Sequence, residues 1–414
     1  MNIQELTLKE FRAKQSSTFF EEIYKRFQLN EELNETEILH LLKNAIIFSN
    51  FGDIDLQKLG YKILVSYSNR YSDYQPLYDF AINKGYIPIS KFVELKYFDE
   101  NKSNHFFNLY FSAFQENYKE KNYYISNGQK KLIEFCAQNK SNFALIAPTS
   151  YGKSEIIVNK VFENLDKKIC IIVPSKALLA QTKRRLLKRS SNNLQRIITH
   201  PEMYKGNESN FVAVLTQERL LRLLQKNITL KFDIVLIDEA HNLFGDKVND
   251  ERSILLAQTI IIMKKRNPNT TLNFFSPFIL DSENLRVTQA NYEITSQSIN
   301  EFIKTEKYFT CDLYENQGEL EIYNQFADNF IKTDIIYIDV FDLLKKQKSH
   351  KNIVYLNRPM HIEEFSFDLA NNNANKVLQI DEIERTIADF IHPDYNLIKC
   401  LKKVLCIIME ECQK

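Results

Sequence analysis

The feature that most constrains this chain is the stretch Phe143–Ser154, which reads FALIAPTSYGKS. Its first five residues, Phe143–Ala147, are apolar and typical of a short buried strand, and Lys153 and Ser154 open a segment with helical spacing. A strand, a tight loop ending in Gly-Lys-Ser and a helix form a cradle for phosphate, because loop amides and the helix N-terminus face the anion. In such a cradle the lysine reaches the outer phosphates and the serine hydroxyl ligates Mg²⁺.

The loop departs at one point from the general phosphate-binding pattern. Ala147 stands where that pattern has its first glycine, so an ordinary strand–helix turn that carries Gly-Lys-Ser is the alternative for this stretch taken alone. If the loop binds a nucleotide, the residues expected to contact it are Pro148, Thr149, Ser150, Tyr151, Gly152, Lys153 and Ser154.

Length and charge limit the classes of protein to consider. The chain has 414 residues, which predicts two or three domains, and its net charge of +1 means that any polyanion site must be a local patch. The six cysteines are scattered without a C-x-x-C pair, which favours reduced thiols over disulfides or zinc. The N-terminus is too polar for a signal peptide, and no apolar run approaches the roughly 18 residues of a membrane span. We therefore expect a cytoplasmic protein without a membrane segment.

Residues 1–125 show helical patterns and no catalytic constellation. Apolar residues recur at helical spacing in several sets, one of which contains Ile38, Leu41 and Leu42. For the aromatic residues near the end of this region we favour a helix core over a platform for stacking bases. These residues are Phe106, Phe107, Tyr110, Phe111 and Phe114. If the protein has a partner subunit, this helical N-terminal region is where we expect it to bind.

From residue 126 to about residue 280 the pattern changes to an alternation of strands and helices, which predicts a parallel sheet with helices on both faces. The predicted strands are Phe143–Ala147, Ile169–Val173, Phe211–Leu215, Asp233–Ile237 and Thr271–Phe275. The helices between them include Ala177–Arg189, Gln217–Gln225 and Ile254–Lys264. Ligands of such sheets bind at the carboxyl ends of the strands.

Two carboxylates follow one of these strands, in the segment Phe232–His241, FDIVLIDEAH. Asp238 can hold Mg²⁺ directly or through water, and Glu239 can orient and deprotonate an attacking water. An acidic loop after a buried strand is the alternative, and the phosphate-loop pattern upstream makes it less favoured.

Two further strand ends carry polar residues. Val173–Gln181 reads VPSKALLAQ and leads into a helix with a basic face, which suits contacts to sugar and phosphate. A solvated basic face is at least as good an interpretation for Lys188 and Arg189. In Val214–Leu220, VLTQERL, residues Thr216 and Arg219 could cap or contact a phosphate, although this segment means little alone.

Taken in order, these segments resemble the DEAD/DEAH-box helicases of superfamily two. APTSYGKS, VPSKALLAQ, LTQERL and DEAH occur in the order of that family's motifs I, Ia, Ib and II, over about residues 125–280. The resemblance implies a RecA-like P-loop NTPase domain that uses ATP and Mg²⁺ and acts on DNA or RNA. It also implies that Lys153 and Ser154 bind phosphate and Mg²⁺, with a catalytic role for Lys153. Asp238 would bind Mg²⁺ and take part in catalysis, and Glu239 would be the catalytic carboxylate.

The resemblance extends to residues outside the two central motifs. Gln129, within SNGQKKLI, lies where the family has a glutamine that reads adenine, and His241 would couple the nucleotide site to an inter-domain cleft. The nucleic-acid strand would cross the surface of motifs Ia and Ib. The contacts expected there are Pro174, Ser175, Lys176, Gln181, Thr216 and Arg219.

Motif III departs from the family, in which it is usually Ser-Ala-Thr. Here Phe275–Phe278 reads FSPF, so Ser276 is kept while Phe278 replaces the threonine. This replacement puts in doubt the usual hydrogen-bond relay from hydrolysis to strand movement.

The pattern weakens after residue 280. Residues 281–335 are interpreted as a connecting segment, with extended patterns at Arg286–Thr295 and Glu319–Tyr323. Residues 336–414 begin like a second RecA-like domain, with a predicted strand at Asn352–Leu356 and a helix at Ile362–Ala370. The family's motifs V and VI, the latter with arginines that complete the ATP site, are absent, so we expect this second domain to be incomplete.

The tail Val404–Lys414, VLCIIMEECQK, suggests a cause for the incomplete second domain. If the codons from Lys403 onward are read one base out of frame, synonymous codon choices allow the sequence GVVYHHGRMPE. Helicases of this type commonly carry a Gly-(apolar)₂-x-His-His-Gly-x-x-Pro segment at this point. A frameshift near codon 403 is therefore our hypothesis, which resequencing the gene would test. A genuine short C-terminal helix is the alternative.

Two functions compete at this stage. The chain is either an active ATP-dependent helicase or translocase, with or without completion by another polypeptide, or a fragment that binds ATP or nucleic acid without unwinding. Because loss of an arginine finger typically costs ~10³–10⁵ in rate, we expect weak or no ATPase from this chain alone. A P-loop protein unrelated to nucleic acid is disfavoured by motifs Ia and Ib. The sequence most resembles bacterial helicases of phage-defence or repair loci, which is a loose association.

Overall fold

The computed structural model describes residues 7–14, 19–98, 106–120, 122–190, 196–245, 250–277, 279, 281–299, 301–314, 318–346, 352–356, 358–372 and 400. The chain forms two compact units. The first consists of residues 1–7 and 42–305, and the second of residues 8–41 and 306–414.

The helices and strands of the described residues are numbered in chain order. The helices are α1 (Leu8–Lys14), α2 (Phe19–Gln28), α3 (Glu35–Ser49), α4 (Ile54–Tyr71), α5 (Gln75–Lys84), α6 (Ile87–Tyr97), α7 (Phe106–Glu116), α8 (Asn127–Gln138), α9 (Lys153–Phe162), α10 (Lys176–Arg189), α11 (Gln217–Lys226), α12 (Glu251–Arg266), α13 (Val340–Lys346) and α14 (Pro359–Asn372). The strands are β1 (Lys119–Glu120), β2 (Tyr123–Tyr124), β3 (Phe143–Ile146), β4 (Lys168–Ile172), β5 (Ile197–Ile198), β6 (Phe211–Leu215), β7 (Ile234–Ile237), β8 (Thr271–Ser276), β9 (Thr295–Ser298), β10 (Phe309–Cys311), β11 (Glu319–Asn324) and β12 (Asn329–Ile336).

A seven-stranded parallel sheet forms the centre of the first unit, in the order β5-β6-β4-β7-β8-β3-β9. Its five middle strands are those that the apolar runs predict. Alternate residues of β4 enter different apolar clusters, with Cys170 and Ile172 in one and Ile169 and Ile171 in the other. Apolar packing on both faces is why this strand is apolar throughout rather than alternating. The predicted RecA-like fold class is confirmed.

The sheet also contains residues beyond 280. Strand β9 pairs with β3 through the register Phe143↔Thr295 to Ile146↔Ser298. It therefore lies within the range that the sequence pattern assigns to a connecting segment. Its sequence, TSQS, has no apolar run, because an edge strand needs less apolar surface than a central one.

Helices dominate the chain before the sheet, as predicted for residues 1–125, with a short antiparallel pair β1–β2 added near the end. Within the first unit, α4 packs closely on the end of α3 at Gly60. A Cβ at this position would lie 2.4 Å from the Ala45 carbonyl oxygen and 2.5 Å from the Ser49 Oγ. Only glycine allows the two helices to approach this closely.

The aromatic residues of α7 do not form the predicted helix core. Phe106, Phe107 and Tyr110 are 74%, 69% and 57% exposed, while Phe111 and Phe114 are partly buried. The prediction of a buried core is therefore wrong for the first three. Helical spacing identifies a common face, but it does not specify whether another element covers that face.

The second unit joins the first two helices to an antiparallel sheet. Strands β10, β11 and β12 pair in that order, and the side chains of β11 alternate between partly buried and buried. Phe326, in the turn after β11, is fully buried and packs edge-on against Phe20 of α2, with ring centroids 5.0 Å apart. Arg12 of α1 donates to the Phe326 carbonyl oxygen at 2.5 Å and pairs with Asp328 at 3.0 Å.

The region predicted to begin a second RecA-like domain is only partly described. The helix at Ile362–Ala370 is confirmed, since α14 contains it. The prediction of a strand at Asn352–Leu356 is wrong, because these residues pair with no strand of the described chain. Ile353 and Tyr355 are also 96% and 80% exposed. The tail Val404–Lys414 lies outside the described residues.

None of the helices in the described part of the chain has the length and apolar character that crossing a membrane requires.

Candidate functional site

The predicted phosphate loop lies between β3 and α9 at the carboxyl edge of the sheet. Ser150 and Gly152 have positive φ angles of 69° and 84°, which turn the backbone sharply before the helix. Gly152 occupies the N-cap position of α9, where its left-handed conformation favours a residue without a Cβ. The loop thus places backbone amides and a helix N-terminus on one side of an open space, the arrangement that binds anions.

Lys153 holds this loop together through its ammonium group. Its Nζ donates to the carbonyl oxygens of Ala147 at 2.6 Å and Pro148 at 3.0 Å, and the residue is 7% exposed. Burial lowers the pKa of its ammonium group, and the charges of Glu239 and Asp238 act in the opposite direction. A bound phosphate would give this cation a stronger partner than two neutral carbonyl groups.

Gln129 lies beside the loop rather than in it. Its Oε1 accepts from the Ser126 amide at 2.9 Å, and the Ser126 Oγ accepts from the Gln129 amide at 3.1 Å, which together form a capping box on α8. The Gln129 Nε2 donates to the Tyr151 carbonyl oxygen at 3.4 Å. The start of α8 is therefore connected directly to the phosphate loop, while the Tyr151 ring is buried in the core.

The two predicted carboxylates follow β7, next to the strand end of β4. The Asp238 amide donates to the Ile172 carbonyl oxygen at 2.9 Å, and the residue is 8% exposed. Burial, followed by the charge of Glu239, raises the pKa of Asp238 to about 6. Glu239 has a φ of 52°, and its Oε2 lies 3.4 Å from the His241 Nδ1.

One cavity of about 770 Å³ collects most of these groups, which is within the usual range for ligand pockets. Its lining residues are Thr149, Ser150, Gly152, Lys153, Ser154, Glu155, Val158, Gln181, Arg185, Lys188, Arg189, Asp238 and Glu239. Pro148, Tyr151, Gln129 and His241 adjoin this cavity without lining it.

Part of α10 faces this cavity, and the sequence did not predict this position for the helix. Gln181, expected to contact nucleic acid, lines the cavity together with Arg185, Lys188 and Arg189 from the following turns. Their spacing of four, three and one residues puts them on one side of a helix, and that spacing was the available signal. Arg189 pairs with Glu155 of α9 at 3.1 Å, and the charge of Arg185 partly opposes the rise in the pKa of Asp238 that burial causes.

The oxygen groups of the cavity suit Mg²⁺ and a nucleotide. The Ser154 hydroxyl and the Asp238 carboxylate are hard oxygen ligands, and Mg²⁺ is commonly held by one or two such groups together with substrate phosphates. The Ser276 Oγ, at the end of β8, is buried and has no hydrogen-bond partner among the described residues. Its backbone carbonyl accepts from the Ala147 amide at 3.1 Å, so Ser276 adjoins the start of the phosphate loop. Phe278, which replaces the motif III threonine, lies outside the described residues.

The other residues expected to contact nucleic acid lie at the ends of β4 and β6. Ser175 caps α10 by accepting from the Leu178 amide at 3.2 Å, and Lys176 is exposed beside it. Thr216 is buried at the start of α11, and Arg219 donates to the Thr199 carbonyl oxygen at 2.9 Å. Pro174 accepts a hydrogen bond from Arg252 through its carbonyl oxygen. These residues share the sheet edge with the cavity but do not line it.

Part of this chain matches a known protein family. Residues 126–276 match the model of the DEAD/DEAH box helicase family. Residues 126–276 therefore have the sequence features of a DEAD/DEAH box helicase domain. Helicases of this family are ATPases, and the matched residues include the phosphate loop, the Asp238–Glu239 pair and all strands of the sheet except β9.

The chain is also similar to individual proteins. It is 27% identical over 221 residues to Anti-bacteriophage protein B of Escherichia coli, which covers 52% of this chain and 29% of that protein. The chain thus spans less than a third of the length of this relative. Among solved structures, the UvsW helicase from bacteriophage T4 is 19% identical with a TM-score of 0.32, covering 45% of this chain and 66% of the other. A hypothetical ATP-dependent RNA helicase from Sulfolobus tokodaii is 22% identical with a TM-score of 0.33, covering 45% and 56%.

Proposed function

We propose that this chain binds and hydrolyses ATP and couples hydrolysis to movement along DNA or RNA, as a helicase or translocase. The observation that carries this proposal is the single cavity in which the phosphate loop, Lys153 and the Asp238–Glu239 pair meet. Residues 126–276, which match the helicase family, include every residue that lines this cavity. Polar residues of two neighbouring strand ends lie at the same sheet edge.

In the proposed mechanism each group has one task. The loop amides and Lys153 bind the outer phosphates, and Gln129 recognises adenine beside the loop. Ser154 and Asp238 hold Mg²⁺, which neutralises phosphate charge when it is bound. Glu239 orients the attacking water and accepts its proton, and His241 fixes the Glu239 carboxylate from 3.4 Å away.

ATP turnover measured with and without single-stranded DNA and RNA tests this function. We expect Mg²⁺-dependent hydrolysis that is weak in this chain alone and that one of the two nucleic acids stimulates. Absence of both ATP binding and salt-dependent nucleic-acid binding would contradict the proposal. A chain that binds both without separating strands would instead support the alternative, a fragment without unwinding activity.

Glu239→Gln should separate binding from hydrolysis. The amide keeps the shape of the side chain but accepts a proton poorly, so turnover should fall by ~10²–10⁴ while the Kd for MgATP stays near the wild-type value. Glu155→Gln is the matched control, because Glu155 lines the same cavity but pairs with Arg189. Equal loss of turnover in both variants would contradict the role given to Glu239.

Lys176→Ala should weaken nucleic-acid binding with little dependence on base sequence. One lost phosphate contact should reduce the slope of log K against log salt by about 1. Lys167→Ala is the control, since Lys167 is also exposed but precedes β4 and therefore lies at the opposite edge of the sheet. The proposed nucleic-acid surface is wrong if the two variants have the same salt slope.

The name of the Escherichia coli relative suggests phage defence as the biological setting, which we include in the proposal. Phages should then form fewer plaques on cells that express this chain than on cells that express a Lys153→Ala variant. Equal plaque numbers across a phage panel would remove this setting without affecting the enzymatic proposal.

A further inference from the structure

A short irregular segment, Glu301–Lys304, follows β9 and lies in the first unit with the ATP-binding cavity. The Ile299 amide, just before it, donates to the Ile146 carbonyl oxygen at 2.9 Å, at the end of the strand that leads into the phosphate loop. The segment therefore starts beside the phosphate loop. No motif of the sequence predicts a role for it.

Glu301 binds the N-terminus of α8. Its Oε2 accepts from the Ser126 Oγ at 2.5 Å, and its Oε1 accepts from the Gly128 amide at 2.7 Å. A Cβ on Gly128 would lie 2.6 Å from this carboxylate, so the glycine leaves the space that the carboxylate fills. Gln129 follows directly and donates to the Tyr151 carbonyl oxygen. One carboxylate thus fixes the helix end that contacts the phosphate loop.

The next two residues are held by phenol groups from the N-terminal helices. The Tyr61 OH, from α4, donates to the Ile303 carbonyl oxygen at 3.0 Å. The Phe302 amide donates to the OH of Tyr86, just before α6, at 3.1 Å. Both tyrosines are at most 6% exposed, so these hydrogen bonds are shielded from water and depend on the exact position of the helices.

The last residue of the segment returns to the loop. The Lys304 Nζ donates to the Ser150 Oγ at 3.1 Å. Lys304 is exposed, so this contact is worth less than the two buried ones. It nevertheless adds a second connection, since Ser150 is the loop residue with a positive φ of 69°.

We propose that Glu301–Lys304 is a strap through which α4 and Tyr86 set the position of Gln129 and the phosphate loop, with Glu301 as its positioning residue. This inference rests on the proposed ATP-binding function and adds a regulatory connection to it. Movement of the N-terminal helices would pull on Phe302 and Ile303, and Glu301 would transmit that movement to the start of α8. Whatever binds the N-terminal helices would then change the affinity for ATP.

Two measurements on the full chain test the strap. The first is hydrogen exchange at the Gly128 amide without nucleotide, and the second is the Kd for MgATP and for MgGTP. Glu301→Ala should speed Gly128 exchange and raise the Kd for ATP about tenfold, the equivalent of one charge-assisted hydrogen bond. The preference for ATP over GTP should shrink, because Gln129 loses its fixed position. A purely structural role would not change that preference.

Conservative variants distinguish an effect of the strap from an effect of misfolding. Glu301→Gln keeps one acceptor and should recover part of the ATP affinity. Tyr61→Phe with Tyr86→Phe keeps both rings and should shift Gly128 exchange and nucleotide preference in the same direction as Glu301→Ala. Tyr292→Phe is the matched control, since the Tyr292 OH also donates to a backbone carbonyl, that of Leu285 at 2.8 Å, away from the strap.

The outcomes distinguish the strap from the proposed function. Wild-type exchange and nucleotide preference in both the Glu301→Ala and the double tyrosine variants would overturn the strap alone. The same is true if Tyr292→Phe has as large an effect as the double variant. If the wild-type chain binds no MgATP, the proposed function fails, and the regulatory role of the strap fails with it.

Discussion

Lys153→Ala should reduce ATP turnover by at least ~10²–10³, the usual cost of removing one preorganised donor from a charged transition state. The expectation follows from the geometry around its Nζ, which is buried and bonded to the carbonyl oxygens of Ala147 and Pro148. The variant loses the cation that faces the phosphates and also the tether that closes the loop. Steady-state hydrolysis at saturating ATP and nucleic acid is the measurement.

Lys160→Ala is the control for this experiment. Lys160 lies two turns along the same helix, and its Nζ also donates to two backbone carbonyls, those of Cys136 at 2.8 Å and Asn139 at 3.2 Å. It does not line the cavity. The variant should lose some stability but keep turnover near wild type. If Lys153→Ala retains turnover within about tenfold of wild type, or if both variants lose it equally, the proposed site is wrong.

Asp238→Asn should make the nucleotide-free protein more stable at pH 8 while preventing Mg²⁺-dependent hydrolysis. Burial raises the pKa of Asp238 to about 6, above the ordinary value of a carboxyl group, so the folded state favours the neutral form. The stability that the neutral carboxyl group gives the folded state is present at low pH and is lost as the pH rises through about 6. At pH 8 the ionised carboxylate costs about 3 kcal/mol, which the neutral amide avoids.

Urea unfolding at several pH values measures this effect. The gain of the Asp238→Asn variant should be largest at pH 8 and disappear toward pH 4, where the wild-type carboxyl group is also neutral. Asp233→Asn changes a carboxylate at the other end of β7, one that is exposed and accepts from the Lys168 amide at 2.8 Å. It should lower stability slightly, and it serves as the control for replacing a carboxylate by an amide. A stability difference between Asp238→Asn and wild type that does not vary with pH would contradict the burial of an ionisable group.

The parts of the fold that the sequence predicts are those with strong local signals. The five central strands appear as apolar runs because both faces of the sheet are buried. The phosphate loop and the Asp238–Glu239 pair appear because their chemistry needs fixed spacing. Strand β9 carries no apolar signal, and the false strand at Asn352–Leu356 shows that an apolar run alone does not supply a pairing partner.

The parts that could not be predicted depend on distant contacts. Glu301 is an isolated acidic residue in an irregular segment, and only the folded chain brings it to Ser126 and Gly128. Arg185 has a helical spacing that marks a basic face, but the sequence does not say whether that face meets solvent, nucleic acid or the cavity. Exposure of Phe106 on α7 has the same origin, since coverage of a helix face is a tertiary property.

The contact between Arg12 and Phe326 has a consequence for synthesis on the ribosome. The two residues are 314 positions apart, so α1 and α2 are made long before the sheet that covers them. At ~5–20 residues per second, the first helices wait about 15–60 s for Phe326 to emerge. During that time the Phe20 ring, buried in the finished protein, lacks its contact with Phe326, while residues 42–305 can already collapse. Slower growth at low temperature or added chaperones should therefore raise the soluble yield of this chain by protecting its N-terminal helices until translation ends.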